Sequence, residues 1–337
     1  MTISVASGKG GTGKTTVAVG LARALEQEVR LLDCDVEEPN SHLFLQVGER
    51  TSENFSIPVP RIDADKCTAC GKCSAFCEYG ALARLKDKVL VFDNLCHGCG
   101  GCKLVCPENA IHEESRAIGK LVSAELPEAG VSLLYGDLNS GEVLAPPLIR
   151  AVKRRGATGL ADAAGADASG DTAASPGRGG SAGDAVARAT AVPVIIDSPP
   201  GTTCPMVTAV KDSDFSLLVT ENTPFGLHDL ELAVQVLSDL DMPMGVVINR
   251  ADIGRSDVEA FCREKSIPVL MRIPYSRRVA EFYARGESIV DADPAFRASF
   301  QEMYRSIELM VAERNEADGH AAASKAAGGE QQEGRQS

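Results

Sequence analysis

The chain has 337 residues, 44% of them hydrophobic but only 4% aromatic, which suits a substantial core and a length of roughly two domains. A formal net charge of -13 opposes the broad attraction to nucleic acid that a basic surface provides, so no nucleic-acid partner is expected. No apolar run approaches the ~20 residues needed to span a bilayer and the N-terminal stretch does not read as a cleavable leader; no stable membrane association and a cytoplasmic location are expected. The first predicted element is an apolar strand, Ile3 to Ala6, which runs into Gly8-Lys9-Gly10-Gly11-Thr12-Gly13-Lys14-Thr15-Thr16 and then into a stretch with Val17, Leu21 and Leu25 at helical spacing. Strand, glycine-rich loop and helix in that order make a phosphate-binding loop: glycines let the backbone approach phosphate oxygens, and loop amides with the helix N-terminus face the anion. Lys14 is expected to pair with the β- and γ-phosphates of ATP, and the Thr15 hydroxyl to ligate Mg2+.

A second strand, Val29 to Leu32, ends in Asp33-Cys34-Asp35, which brings carboxylates to the edge of a sheet beside the phosphate site. Asn40, after Glu37-Glu38-Pro39, is expected to cap a helix; the two glutamates receive no catalytic role. Then come two cysteine tetrads of one spacing, Cys67, Cys70, Cys73, Cys77 and Cys96, Cys99, Cys102, Cys106. Each residue of the first recurs 29 positions later, an offset that extends to Leu82 and Ile111, so the segment is an internal duplication. Three thiolates on one short loop can each hold a different iron of a cubane cluster, whereas zinc needs its sulfurs to converge on one atom. Two zinc ions in a cross-braced module and a disulfide framework are the other readings; the spacing argues against the first, and an intracellular setting against the second. His97 reads as a loop residue rather than a ligand.

The duplicated tetrads resemble bacterial two-cluster ferredoxins, in which the fourth cysteine of each run ligates the other cluster. By that resemblance one [4Fe-4S] cluster belongs to Cys67, Cys70, Cys73 and Cys106 and the other to Cys96, Cys99, Cys102 and Cys77. Cys106-Pro107 follows the ferredoxin pattern; Cys77-Glu78 departs from it without moving a ligand.

Between about Ala157 and Ala191, Ala, Gly, Ser and Asp dominate, and ordering would bury too little to offset the entropy; a flexible insertion is expected there. Val194-Ile195-Ile196-Asp197 is a buried strand ending in an acid, expected to hold Mg2+ through water, and Ser198-Pro199-Pro200-Gly201-Thr202 makes a restrained turn able to sense a γ-phosphate. Phe215 to Thr220 and Gly245 to Ile248 are further strands, with an amphipathic helix between them at Leu227, Leu230, Val234 and Leu237. Cys34, at a strand end, and Cys262, in a helix, read as small buried or half-buried thiols.

The loop GKGGTGKTT, with its second lysine Lys9, is similar to the deviant Walker A of the MinD, ParA, Mrp and nitrogenase iron-protein group. The resemblance implies that Lys9 reaches the phosphates of the opposite subunit in a nucleotide-sandwich dimer; a solvated loop lysine is the alternative. It also implies that Asp35 positions or deprotonates the attacking water, that Asp33 serves magnesium or structure, that Asp197 is the Walker B acid, and that Asn249 binds adenine. Cys204, seven residues after Asp197, matches a cluster ligand of the nitrogenase iron protein, but the second bridging cysteine of that protein has no counterpart here.

The expected architecture is therefore α/β: a P-loop NTPase with a mostly parallel sheet flanked by helices, formed by residues 1–60 and 116–314. Into it is set an α+β two-[4Fe-4S] ferredoxin-like domain at 61–115, with a disordered tail at 315–337. The expected activity is hydrolysis of ATP to ADP and phosphate, slow and partner-stimulated, in a homodimer or a heterodimer with a related ATPase, coupled to electron transfer to a redox or metallocluster partner. An Mrp-type cluster assembly or carrier ATPase, lacking here the C-terminal CxxC of many relatives, and a MinD-like positioning ATPase with structural or sensing clusters are the alternatives.

Overall fold

The computed structural model describes residues 1–126, 130–158, 192–254 and 257–333. Apolar runs flanked by turns become strands β1 (Thr2–Ala6), β2 (Val29–Asp33), β3 (Arg50–Ile62), β4 (Leu82–Leu85), β5 (Lys88–Val91), β6 (Ile111–Leu126), β7 (Val131–Leu138), β8 (Val194–Asp197), β9 (Phe215–Glu221), β10 (Met244–Asn249) and β11 (Val269–Ile273). The helices are α1 (Lys14–Ala24), α2 (Ser41–Phe44), α3 (Lys72–Phe76), α4 (Gly101–Leu104), α5 (Ala145–Thr158), α6 (Cys204–Val210), α7 (Pro224–Asp239), α8 (Val258–Glu264), α9 (Arg277–Ala284), α10 (Ile289–Ala292) and α11 (Pro294–Glu333).

Nine strands form one sheet in the order β11-β10-β9-β1-β8-β2-β7-β6-β3. From β11 to β7 every neighbouring pair is parallel. β6 runs antiparallel to both β7 and β3. The central strands are buried on both faces, as unbroken runs such as Phe215-Ser216-Leu217-Leu218-Val219 require when helices cover each side. On one face Val17 and Leu21 of α1 pack with Ile289, Phe300, Met303 and Ile307 of α10 and α11. Gly20 is needed there, because a Cβ would stand 2.8 Å from the Phe300 ring. On the other face lie Leu148, Ile149 and Val152 of α5, Met206 and Val210 of α6, and Leu230 and Leu237 of α7. Each such fully buried side chain contributes about 1.5–3 kcal/mol relative to exposure.

The antiparallel end of the sheet was not legible in the sequence. β3 and β6 pair along their whole lengths, from Arg50↔Ala124 to Ile62↔Ile111. Only Gly119–Leu126 of β6 also pair with β7, so the remainder of the ribbon projects past the sheet. Residues 63–110 hang from its far end, where the Asp63 amide donates to the Ala110 carbonyl at 2.8 Å. That segment holds α3, α4 and the β4–β5 hairpin, and has its own small core of Cys73, Leu82, Val89, Cys102 and Ile111.

Two expectations meet a different outcome. Asn40 stands at the start of α2, but its side chain caps nothing. The cap comes from the end of β2: Asp33 Oδ2 accepts from the Asn40 and Ser41 amides at 3.0 and 2.9 Å. In the tail, the backbone is helical through Glu333 as a continuation of α11, and residues 315–318 are solvent-exposed. The expected flexible insertion falls on residues outside those described, apart from the last turn of α5. Among the described residues no helix is long and apolar enough to cross a membrane.

Candidate functional site

The parallel strands bring their carboxyl ends to one edge, and the polar residues cluster there. β1 delivers the glycine-rich loop, whose Gly11 and Gly13 adopt φ of 80° and 96°, a region closed to most side chains. Gly8 is required by proximity, since a Cβ would fall 2.1 Å from the Asp229 carbonyl oxygen. Lys14, the first residue of α1, is 6% exposed. Burial lowers its pKa, while the carboxylates of Asp197, Asp35 and Asp33 oppose that shift.

Those three carboxylates converge because β2 and β8 are neighbours, with Asp33 opposite Asp197. Asp33 is fully committed to structure: Oδ1 accepts from the Asp35 amide at 3.1 Å, and Oδ2 holds the start of α2. Burial raises its pKa to about 6 even so. Of the two roles considered for Asp33, structure is the one its bonds express. Asp35 is left with its side chain toward the site, its pKa raised to about 7 by burial and then by Asp33, with Lys14 pulling the other way. Asp197 is raised well above the usual carboxylate range by burial and by Asp33.

Both Asp197 oxygens, Thr12 Oγ1 and Ser198 Oγ are buried without a hydrogen-bond partner. Orphaned buried polar atoms are costly, and a cluster of them beside a buried lysine marks a place built for a polar ligand. An Mg2+-bound triphosphate has that chemistry: a cation for Asp197 and anionic oxygens for Lys14 and the loop amides. Ser198 and Gly201 are tied to β1 and to the loop through amides donating to the Val5 and Ser7 carbonyls at 3.0 and 3.1 Å.

Three neighbours were not singled out from the sequence. Glu221, at the end of β9, lies 3.8 Å from Lys9 Nζ and 2.8 Å from Arg250 Nη1. Arg250 follows Asn249 in a left-handed conformation, φ 50°. The Asn249 Nδ2 donates to the Thr12 carbonyl at 2.8 Å, and its Oδ1 accepts from the Arg250 amide at 2.9 Å, so this side chain buttresses the loop. The third is Lys153 of α5, whose Nζ donates to the Thr208 carbonyl at 3.0 Å and to the Lys211 carbonyl, capping the C-terminus of α6.

The cysteines gather elsewhere, in two cavities. One is lined by Cys77, Cys96, Cys99 and Cys102, with Phe76, Tyr79 and His97. The other is lined by Cys67, Cys70, Cys73 and Cys106. Each cavity thus mixes three thiols of one tetrad with the last thiol of the other. Gly71 and Gly100, with φ of 82° and 70°, turn the two loops at equivalent points before α3 and α4. Among the described residues no three His, Cys, Asp or Glu side chains converge as a single metal ion requires. His97 stacks on Tyr79 with ring centroids 3.5 Å apart. Cys34 and Cys262 are buried, and burial raises both thiol pKa values; Cys204 is exposed at the first turn of α6.

The fold and the loop define a P-loop nucleotide-binding protein. More narrowly, the model of the CobQ/CobB/MinD/ParA nucleotide binding domain matches residues 3–289, and the chain belongs to that family. It therefore carries a nucleotide-binding domain of the MinD/ParA type. An uncharacterized protein of Methanocaldococcus jannaschii is 28% identical over 299 residues, 86% of this chain and 91% of that one. The cell division ATPase MinD of Pyrococcus furiosus shares the fold with a TM-score of 0.50 at 21% identity, over 92% of this chain and 98% of that one. A ferredoxin of M. jannaschii is similar to a shorter part, 41% identical over 54 residues, which is 15% of this chain and 70% of the ferredoxin.

Proposed function

We propose that this chain is an ATP-hydrolysing switch that carries two [4Fe-4S] clusters on an inserted ferredoxin-like domain, residues 61–115, and couples its nucleotide state to electron transfer through them. The observation that carries the reading is the sorting of eight cysteines into two cavities, each completed by a thiol from the other half of the duplication. The likeness to a ferredoxin supports it. Cys67, Cys70, Cys73 and Cys106 would hold one cluster, and Cys77, Cys96, Cys99 and Cys102 the other. When bound, they supply one-electron redox chemistry.

At the nucleotide site, Lys14 and the loop amides bind the β- and γ-phosphates. Thr15, and Asp197 through water, would hold Mg2+. The Asp35 carboxylate, with its pKa about 7, accepts the proton of the attacking water as ATP becomes ADP and phosphate. Lys9, one-third exposed and held by Glu221, is the residue offered to a second subunit, a homodimer or a heterodimer with a related ATPase. Asn249 has one amide hydrogen beyond its bond to Thr12 for the adenine base.

Coupling has a physical route. The ribbon that carries the cysteine segment is continuous with the nucleotide-binding sheet through β6 and β7. Helix α5 packs on β2, β6, β7 and α6, the helix that follows the Ser198–Thr202 turn. Coupling requires different contacts in the two nucleotide states, which a spectrum can report. Electron paramagnetic resonance of the chemically reduced protein should change when Mg-ATP is added. Identical spectra, together with equal ATP affinity of the oxidised and reduced forms, would overturn the coupling.

A further inference from the structure

The ribbon of β3 and β6 leaves the sheet at a defined joint. Gly119 of β6 stands opposite both Phe55 of β3 and Leu138 of β7, and from there to Ile111 the strand pairs with β3 alone. At the same point the register shifts: Phe55 pairs with Gly119 but Ser56 with Ala117, which leaves Ile118 as an extra residue on one strand. Such a bulge interrupts the ladder and bends the strand, so it is the place where the ribbon can change its angle to the sheet. The loop after β7 holds it. The Asn139 amide donates to the Ile118 carbonyl at 2.9 Å, and Asn139 Nδ2 to the Ala117 carbonyl at 3.2 Å.

Helix α5 lies across this joint. A Cβ at Gly119 would stand 2.9 Å from Leu148 Cδ2, and one at Gly136 of β7 would stand 2.9 Å from Leu148 Cγ, so the helix rests on the two strands where they part. Ile118 is buried in one apolar cluster with Leu148, Ile149 and Val152. Just before the helix, Glu142 Oε1 accepts from the Val143 and Leu144 amides at 3.1 and 3.2 Å, while Oε2 accepts from Arg116 Nη1. Arg116 belongs to the projecting part of the ribbon, two residues beyond the bulge, and the paired side chains are only 17% and 7% exposed. Separating so well covered a pair would strand a buried charge, which makes it a firm tie. The second tie is Lys153, whose Nζ donates to the Thr208 carbonyl at 3.0 Å and to the Lys211 carbonyl. These lie at the end of α6, where carbonyls lack intrahelical partners and a cation is favoured. The seven residues of α6, about 10 Å of helix, start two residues after the Ser198–Thr202 turn. Apolar contact between α5 and α6 is non-directional, whereas two hydrogen bonds from one ammonium fix how the helices sit.

We propose that α5 is a lever between the nucleotide site and the cysteine-bearing segment, with Lys153 as its tie to α6, Glu142 as its tie to Arg116, and the bulge at Ile118 as the hinge it works. A movement of the Ser198–Thr202 turn reaches Lys153 through α6, tilts α5 on Leu148, and through Glu142 and Arg116 swings the ribbon. The turn is itself bound to β1 and the phosphate loop by the Ser198 and Gly201 amides, so it is placed to follow the nucleotide. Lys153 is a positioning residue here; it touches neither nucleotide nor cysteine cavity. Because the ribbon carries residues 63–110 at its far end, a small change of angle at Ile118 becomes a larger displacement of both cavities.

The lever rests on the coupling proposed above, and the test separates the two. Paramagnetic spectra of the dithionite-reduced whole protein are compared with and without Mg-ATP, alongside iron content and ATP affinity of the oxidised and reduced forms. Lys153→Met should keep its iron and bind ATP, yet lose the spectral response and bring the ratio of the two ATP affinities to one, since coupling is reciprocal. Lys153→Arg, still able to donate to both carbonyls, should retain the response. A wild-type response that survives Lys153→Met, or that is lost equally in Lys153→Arg, would overturn the lever and leave the coupling standing. A wild-type spectrum indifferent to Mg-ATP would overturn the coupling and the lever with it. If Lys153→Met fails to hold iron or ATP, hydrogen exchange of the wild-type protein decides. Amides of residues 145–158 should exchange at different rates with Mg-ADP and with the magnesium complex of the non-hydrolysable analogue AMP-PNP; equal rates would overturn the lever.

Discussion

Asp35→Asn probes the chemistry of the nucleotide site most directly. Burial, reinforced by Asp33 and only partly offset by Lys14, places the Asp35 pKa at about 7, so the carboxylate titrates near neutral pH. For such a group roughly a tenth is ionised at pH 6 and roughly nine-tenths at pH 8, which makes kcat/KM for a base-dependent reaction rise about tenfold across that range. Asparagine keeps the shape but cannot take a proton, and a lost general base costs about a hundredfold to ten-thousandfold in rate. The assay is phosphate release at saturating Mg2+ from pH 6 to pH 8, expressed as the ratio of wild type to variant, because titration of the nucleotide affects both proteins and cancels. The ratio should climb about tenfold with pH. A large ratio that stays flat would show that Asp35 orients water without accepting its proton. A ratio near one would remove Asp35 from the reaction.

Asp197→Asn should abolish hydrolysis yet raise the melting temperature of the nucleotide-free protein near neutral pH by a few degrees, on the order of 1–3 kcal/mol, because it removes a carboxylate whose ionised form is disfavoured by burial and by Asp33 more than Thr15 and Lys14 offset. The sign follows from its raised pKa: the ionised form is the costly one, so stability is lost as the pH rises through the folded value, and the gap between variant and wild type should shrink as the pH is lowered. Cys77→Ala should disturb the paramagnetic signal shared with Cys96, Cys99 and Cys102 and spare the other, since Cys77 lines their cavity; iron should fall from about eight toward about four per chain. Loss confined to the signal of Cys67, Cys70 and Cys73 would refute that grouping. Lys153→Met should destabilise the protein by about 1–3 kcal/mol in a denaturant titration, because the Thr208 and Lys211 carbonyls lose their cap. An unchanged midpoint would mean that water replaces it fully.

Where function depends on short spacings, the chain was readable. The strand, glycine loop and helix from Ile3 onward form where the residues indicate, and the acids at Asp33, Asp35 and Asp197 meet at the sheet edge. Cys34 and Cys262 are buried, within the buried or half-buried reading expected of a small thiol at a strand end and in a helix. Other features escaped because their partners lie outside the local motif. Asn40 has the composition of a cap, yet Asp33 outcompetes it, since the fold of the chain after β2 returns the Asn40 and Ser41 amides to that buried carboxylate. Asn249, expected at the base, is first a support for the loop, a contact across 237 positions. Glu221 and Arg250 carry no local motif; only the adjacency of β9 and β10 makes them a pair beside Lys9.

Residue spacing alone marks the candidate site groups: a glycine-rich loop ending in a lysine, acids ending apolar strands, and two copies of one cysteine spacing. These follow from backbone geometry within a few residues, which spacing encodes directly. Tertiary structure decided how they are joined. The order of strands put Asp33 against Asp197, and the long β3–β6 ribbon made the cysteine segment an extension of the nucleotide sheet. Such neighbours arise from register and packing between distant segments, where burial and hydrogen-bond satisfaction are settled for the whole sheet at once.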